Sequence, residues 1–366
     1  MHDFRYQLPR FFSAFALHIL RPALPVLLFL SPSTTFAQKP WQLDYRVQAG
    51  FENDSNIYES SVAPVSAPVG RLLLQSKAER VSKNVRLLFD YSGALLLYHA
   101  HNDEHKLLND LKGGVTLRAN DWLRFFVQGE VTLKNYLNNT ADYGTSGGIL
   151  GATTALSERA ALEAGVENGQ LDYAASDSLF DYTFWGAFLS LRHRLAQSTV
   201  LELTAQRRRL DYLRFAYLHF NSTLVQRAPY AQQENFSALR LTFTMSRKWL
   251  LRASVEAQFN RSNSLGYDYD RLRLQALAAW SPARRWLIRA AAMVQTKSYA
   301  ESTPPIVPPE FDAEREQSNN LILDVSRDLS NELTLLARIS YHDNESPIRS
   351  VFYRKTVFFT GMELRF

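Results

Sequence analysis

The chain of 366 residues contains no cysteine. That excludes disulfide frameworks, thiolate metal sites, a catalytic thiol and a lipidated N-terminal cysteine. No stretch after Ala37 is long and apolar enough for a membrane-spanning helix. Charge of one sign is also scarce: Lys and Arg number 41 against 36 Asp and Glu. Without residues 1–37, which carry three Arg and one Asp, the surplus falls to +3. A nucleic-acid binder needs a concentrated basic face, none stands out, and no nucleic-acid partner is expected. No H-E-x-x-H metalloprotease string occurs. His193 and His219 read as interfacial, so neither an enzyme nor a cofactor is expected.

Two other features are abundant. Aromatic residues make up 13% of the chain, with 23 Phe and 17 Tyr, a composition that suits pleated, half-buried surfaces. Residues 1–37 place Arg5, Arg10 and Arg21 ahead of an apolar run over residues 22–30, followed by a small, polar stretch ending at Ala37. That is the order of a secretory signal, with cleavage expected after Ala37 and residues 38–366 left as one domain.

The rest of the chain alternates. In "WQLDYRVQAGF", Trp41, Leu43, Tyr45, Val47, Ala49 and Phe51 share one face, while Gln42, Asp44, Arg46 and Gln48 share the other. This is strand periodicity. "NVRLLFDYSGALLLY" and "WLRFFVQGEVTLK" repeat it, and about sixteen such segments of about ten residues follow one another, with fourteen to eighteen allowed. Ten residues is the length of a tilted strand that crosses a bilayer.

Connections between the segments run long, short, long, short. "ENDSNIYESSVAPVSAPV" precedes "SKN", "HNDEHK" precedes "ND", and the residue 210–233 stretch, read as a long loop, precedes "SRK". Tight turns on one side and long loops on the other, with both chain ends on the tight-turn side, meet the requirement of a transmembrane antiparallel up-and-down barrel. "NDWLRFF", "RKWLLRA" and "RRWLIRA" place Trp122, Trp249 and Trp286 just after short turns, and Trp280 ends the strand before the last of these. Indole rings at one rim form an aromatic girdle at the headgroup level.

The signal segment, the alternating strands and the closing "FFTGMELRF" together resemble a Gram-negative outer-membrane β-barrel of the porin-like kind. The resemblance implies an outer-membrane location, with both termini periplasmic and the barrel set among lipid and lipopolysaccharide. It also implies that Met362, Leu364 and Phe366 are the signal read by the barrel-assembly machinery. A second likeness, in "GFENDSNIYES", is to first strands of barrels for exopolysaccharide export and surface-protein assembly.

A closed ring of about sixteen strands is wide enough for a water-filled lumen. If the apolar rows face lipid, the pore is lined by Arg46, Arg124, Glu130, Glu202, Arg208, Arg240, Arg252, Glu256, Arg273, Arg289 and Arg338. Mixed charges of this kind select hydrated polar solutes by field and size. Arg240, Arg252, Arg273 and Arg289 stand on adjacent strands, as a basic ladder or as groups satisfied by turn carbonyls and neighbouring Glu. In the loops, "HAHNDEH" groups His99, His101, Asp103, Glu104 and His105, which read as a polar turn rather than a metal site. "ENDSN" reads as turn chemistry. The sequence therefore points to a passive or weakly selective channel for small polar solutes, with export of a surface polysaccharide or assembly of a surface protein as the alternative.

Overall fold

The computed structural model describes residues 41–138, 142–174, 178–219, 225–300, 319–344 and 353–366. The expected signal segment lies outside them. Sixteen strands follow in order: β1 Gln42–Asp54, β2 Ala67–Val81, β3 Val85–Tyr98, β4 Lys106–Arg118, β5 Leu123–Tyr136, β6 Tyr143–Ala155, β7 Ala160–Tyr173 and β8 Tyr182–Ala196. The second half comprises β9 Thr199–His219, β10 Val225–Ser246, β11 Trp249–Ser262, β12 Tyr269–Trp280, β13 Trp286–Tyr299, β14 Asn319–Asp328, β15 Leu333–Asn344 and β16 Tyr353–Arg365. Each pairs antiparallel with its neighbour in sequence, and β1 pairs with β16, so the sheet is a closed up-and-down barrel.

Closure accounts for the C-terminus. Phe366 donates its backbone N–H to the Tyr45 carbonyl at 2.9 Å, which ties the last residue to the first strand. Arg46 faces Arg365 and Asp54 faces Val357 along the same seam. A sheet closed on itself has no free edge to fray.

The period-two rows take opposite sides of the wall. Val127, Leu150, Leu241, Val255, Leu274, Leu323 and Met362 are exposed on the outside, and the register sets Val127 beside Leu150 and Leu241 beside Val255 and Leu274. Trp122, Trp249, Trp280 and Trp286 stand exposed at the rim of the short turns, with Trp249 stacked on Trp280 at 4.9 Å. The interior is different, since its fully buried side chains include Gln232, Asn56, Asn260 and Thr334. Apolar surface outside and polar surface inside is the inverse of a soluble core.

Strands run further than the sequence reading expects. Residues 210–233, read there as a loop, are mostly strand: β9 and β10 span 21 and 22 residues and rise together on the long-loop side. Arg207, Arg209 and Asp211 break the apolar row on the outer face, which makes the segment look loop-like. Backbone pairing continues past them, with register shifts between Arg227 and Ala231 and between Ala231 and Gln233. Pro229, which cannot donate to a ladder, falls in the first of these irregularities.

Glycines let aromatic rings lie flat on the inner wall. A Cβ on Gly151 would stand 2.5 Å from the Phe126 ring, and one on Gly165 would stand 2.7 Å from the Phe188 ring. The glycines thus keep these inward rings against the wall and out of the lumen.

Candidate functional site on the inner wall

The register puts all eleven charged residues singled out in the sequence on the inner face. Most of them meet an opposite charge. Arg46 pairs with Asp44 at 2.8 Å, Lys112 with Glu130 at 3.4 Å, and Arg192 with Glu202 at 3.0 Å. Arg208 grips Glu167 with two parallel bonds of 2.7 Å, a fork geometry that only guanidinium supplies. Arg124 and Arg252 are exposed and have no ion pair among the described residues.

The arginines of β10 to β13 do not form one ladder. Arg240, Glu256 and Arg273 share a row, with Glu256 held between the two guanidiniums and Arg273 at 3.6 Å. A second row, nearer the short turns, joins Arg289 to Asp324 at 3.4 Å and Arg338 to the same carboxylate at 2.5 Å. Arg252 stands between the two rows. The pattern is arginine, acid, arginine, so each triad keeps a net positive charge.

Above the first triad the wall is a continuous polar network. Arg271 donates to Gln258, which donates to Glu256. Further up, Asn260 and Gln232 both donate to Glu234, at 2.8 and 2.6 Å, and Arg214 donates to Gln232 at 2.9 Å. These side chains are buried, and buried polar groups need such partners. Arg214, Glu234, Gln258, Asn260 and Arg271 line a cavity of about 420 Å³, together with Tyr182, Tyr212, Tyr267, Tyr269 and Lys297.

A feature absent from the sequence reading circles the lumen at the level where the strands meet the long loops. Tyr98, Tyr136, Tyr143, Tyr173, Tyr182, Tyr212, Tyr267, Tyr269, Tyr299 and Tyr353 all belong to it, ten of the 17 tyrosines. Nine lie on the strands at inward-facing positions, and Tyr267 just precedes β12. Cations are interleaved with the rings. Lys106 lies over Tyr98 and Tyr136 at 5.1 and 5.0 Å, and Lys134 over Tyr136 and Tyr143 at 5.3 and 5.4 Å. Arg214 lies over Tyr212 and Tyr267 at 4.2 and 4.9 Å, and Lys297 over Tyr269 and Tyr299 at 4.1 and 4.8 Å. Ring pairs Tyr143–Tyr173 at 5.5 Å and Tyr182–Tyr212 at 5.2 Å continue the chain. Each cation bridges two ring faces, the arrangement in which the ring quadrupole attracts it.

The "DSNIYES" string has a structural role. Asp54 accepts a bond from the Asn56 backbone N–H at 2.9 Å, an Asx turn. Asn56, 1% exposed, donates to the carbonyls of Ser60 and Arg354 at 2.9 and 3.1 Å and accepts from the Ser60 N–H at 3.0 Å. Lys355 reaches Glu59 at 2.6 Å and Asp54 at 3.5 Å. Ile57 packs with Ala67, Val69 and Tyr98. The loop is a clasp over the seam between the first and last strands.

The histidine cluster is likewise engaged locally. His101 bonds the Tyr58 hydroxyl at 2.9 Å, and His105 Nδ1 accepts from the Tyr98 backbone N–H at 3.1 Å. The string Gly144-Thr145-Ser146-Gly147-Gly148 matches the letters of a hydrolase nucleophile elbow. It lies inside β6, with Ser146 opposite Val131 on the outer face, whereas an elbow needs a strand-to-helix turn.

No protein-family model matches the chain, and no curated protein matches it. Solved structures do resemble it. A bacterial polysaccharide outer membrane secretin aligns over 88% of this chain and 98% of its own, with 9% identity and a TM-score of 0.46. OpdQ of Pseudomonas aeruginosa aligns over 89% and 99%, with 9% identity and a TM-score of 0.45. The toluene transporter TodX of Pseudomonas putida aligns over 93% and 92%, with 12% identity and a TM-score of 0.37.

Proposed function

We propose that this protein is an outer-membrane channel for small hydrated polar solutes, passive or weakly selective. The observation that carries this reading is the sidedness of the closed wall, with an apolar belt edged by tryptophan outside and charged, hydrogen-bonded rows inside. Sixteen strands enclose more space than their own side chains fill, and an inner wall of paired charges solvates ions and small polar molecules. The polarity of the wall supports a bilayer environment, with the short-turn rim periplasmic and the long loops among lipopolysaccharide. In this reading Met362, Leu364 and Phe366, on the outer face of β16, are the stretch that the assembly machinery recognises. "DSNIYES", which raised the alternative of polymer export or surface-protein assembly, is accounted for by its clasp role, so channel function is the better supported reading.

The test is reconstitution of the refolded barrel in a planar bilayer. Stable conductance steps are expected. A correctly folded barrel that stays silent overturns the proposal.

A further inference from the structure

The tyrosine collar asks for more than ion passage. A wall that only has to pass inorganic ions needs charges and water, not a ring of phenols. A purely structural collar needs apolar rings, and phenylalanine supplies those without a hydroxyl to satisfy. Tyrosine combines a flat apolar face with a hydrogen-bonding tip, and in this protein it recurs at the loop-side ends of β3, β5 to β9, β12, β13 and β16.

We propose that the collar and the cavity beneath it form a binding site for an anionic saccharide of the uronic-acid class. The inference rests on the channel reading and names its substrate class. Charge fixes the anionic part. Six cations line the cavity, among them Arg214 and Lys297, against one lining carboxylate, Glu234. Counting Glu167 and Glu256, which pair with lining arginines, still leaves cations in excess. The volume of about 420 Å³ falls within the range of small-ligand sites, roughly 300–1,000 Å³.

The saccharide part follows from the rings. The C–H faces of a pyranose stack on phenol rings such as Tyr182, Tyr212 and Tyr269, while its hydroxyls exchange hydrogen bonds with tyrosine tips. The carboxylates meet Lys297, already held at two ring faces, and the half-exposed Arg240 of the same lining. A single aromatic acid would fill one sector, whereas the ring-and-cation unit occurs four times, twice over β3–β6 and twice over β9–β13. Repetition suits a ligand that is itself a repeat.

The site is tested by calorimetry on the full barrel in detergent. The titrants are a galacturonic-acid hexamer, maltohexaose as the uncharged sugar, hexaglutamate as charge without sugar, and benzoate. The galacturonate hexamer is expected to bind at least about tenfold more tightly than any of the others. Lys297→Gln and Lys106→Gln, on different strands, are each expected to weaken it by about fivefold or more, while both variants keep the gel shift of a folded barrel. Equal binding of hexaglutamate, maltohexaose or benzoate overturns the proposal, as does absence of binding. In bilayers, lower blocking concentrations from the long-loop side identify a free oligosaccharide as the source, and the reverse order identifies a chain arriving from the other side. A conducting barrel that ignores the hexamer refutes the saccharide site and leaves the channel. A silent barrel that binds it refutes the channel and leaves the site.

Discussion

Asn56, in the loop after the first strand, donates its side-chain N–H to the main-chain carbonyl of Arg354, which stands on the last strand 298 residues later, at 3.1 Å. The same amide group satisfies Ser60 in both directions, so one buried side chain links the loop to itself and to the closing strand.

Replacing Asn56 by Asp removes both N–H donors and sets a carboxylate against two carbonyl oxygens. A buried polar group left unsatisfied costs about 1–3 kcal/mol, and more when charged. Asn56→Asp is expected to lower the guanidinium midpoint of the refolded barrel by an amount equivalent to about 2–4 kcal/mol. An unchanged midpoint would show that the seam holds without the clasp.

Glu256 separates Arg240 from Arg273. Glu256→Gln leaves two guanidiniums facing the lumen without their counter-charge. The chloride-to-potassium permeability ratio from reversal potentials is expected to rise about twofold or more. Arg252→Glu, lower on the same wall, is expected to move the ratio the other way. Identical reversal potentials for both variants would place the current path elsewhere.

Gly151→Val puts a branched side chain where the Phe126 ring now lies. The ring must swing toward the lumen, so conductance is expected to fall, and because the added Cβ also stands 2.7 Å from the Ala164 carbonyl the strand must shift as well, at a cost of about 1–3 kcal/mol. Phe126→Ala in the same chain should restore the conductance.

Phe366 is 74% exposed on the outer face and contributes little packing. Phe366→Ala combined with Leu364→Ala is therefore expected to reduce the amount of barrel reaching the outer membrane severalfold, while leaving the denaturation midpoint of the refolded protein within about 1 kcal/mol. Equal amounts in the membrane would remove the C-terminal stretch from the insertion step.

Alternation makes the two faces of the wall legible in the sequence. The parity of Leu43, Tyr45 and Phe51 against Asp44 and Arg46 identifies outside and inside, and the "GMELRF" ending does the same for β16. Parity does not give height. Arg240, Arg252, Arg273 and Arg289 look equivalent in sequence, yet register places them in different rows with different acids. The same limit hid the collar, because its tyrosines are spread from Tyr98 to Tyr353 and meet only when the strands are aligned. The usable signal was a tyrosine of inward parity at the loop-side end of strand after strand. The upper parts of β9 and β10 look like a loop in sequence because the outer face of a strand above the lipid belt is free to carry charge. Arg209 pairs there with Asp211 at 3.1 Å, and hydrophobic alternation ends before the strand does.

The absence of native cysteine allows a direct test of the central claim, that the inner face lines a water path. Ser254 lies on the inner face of β11, bonded to Gln275, and Val255 lies on the outer face, exposed. With each replaced in turn by cysteine, a charged, membrane-impermeant thiosulfonate is applied during bilayer recording. Ser254→Cys is expected to react and change the conductance in discrete steps, with Val255→Cys unaffected. Modification at 255 with none at 254 would contradict the account.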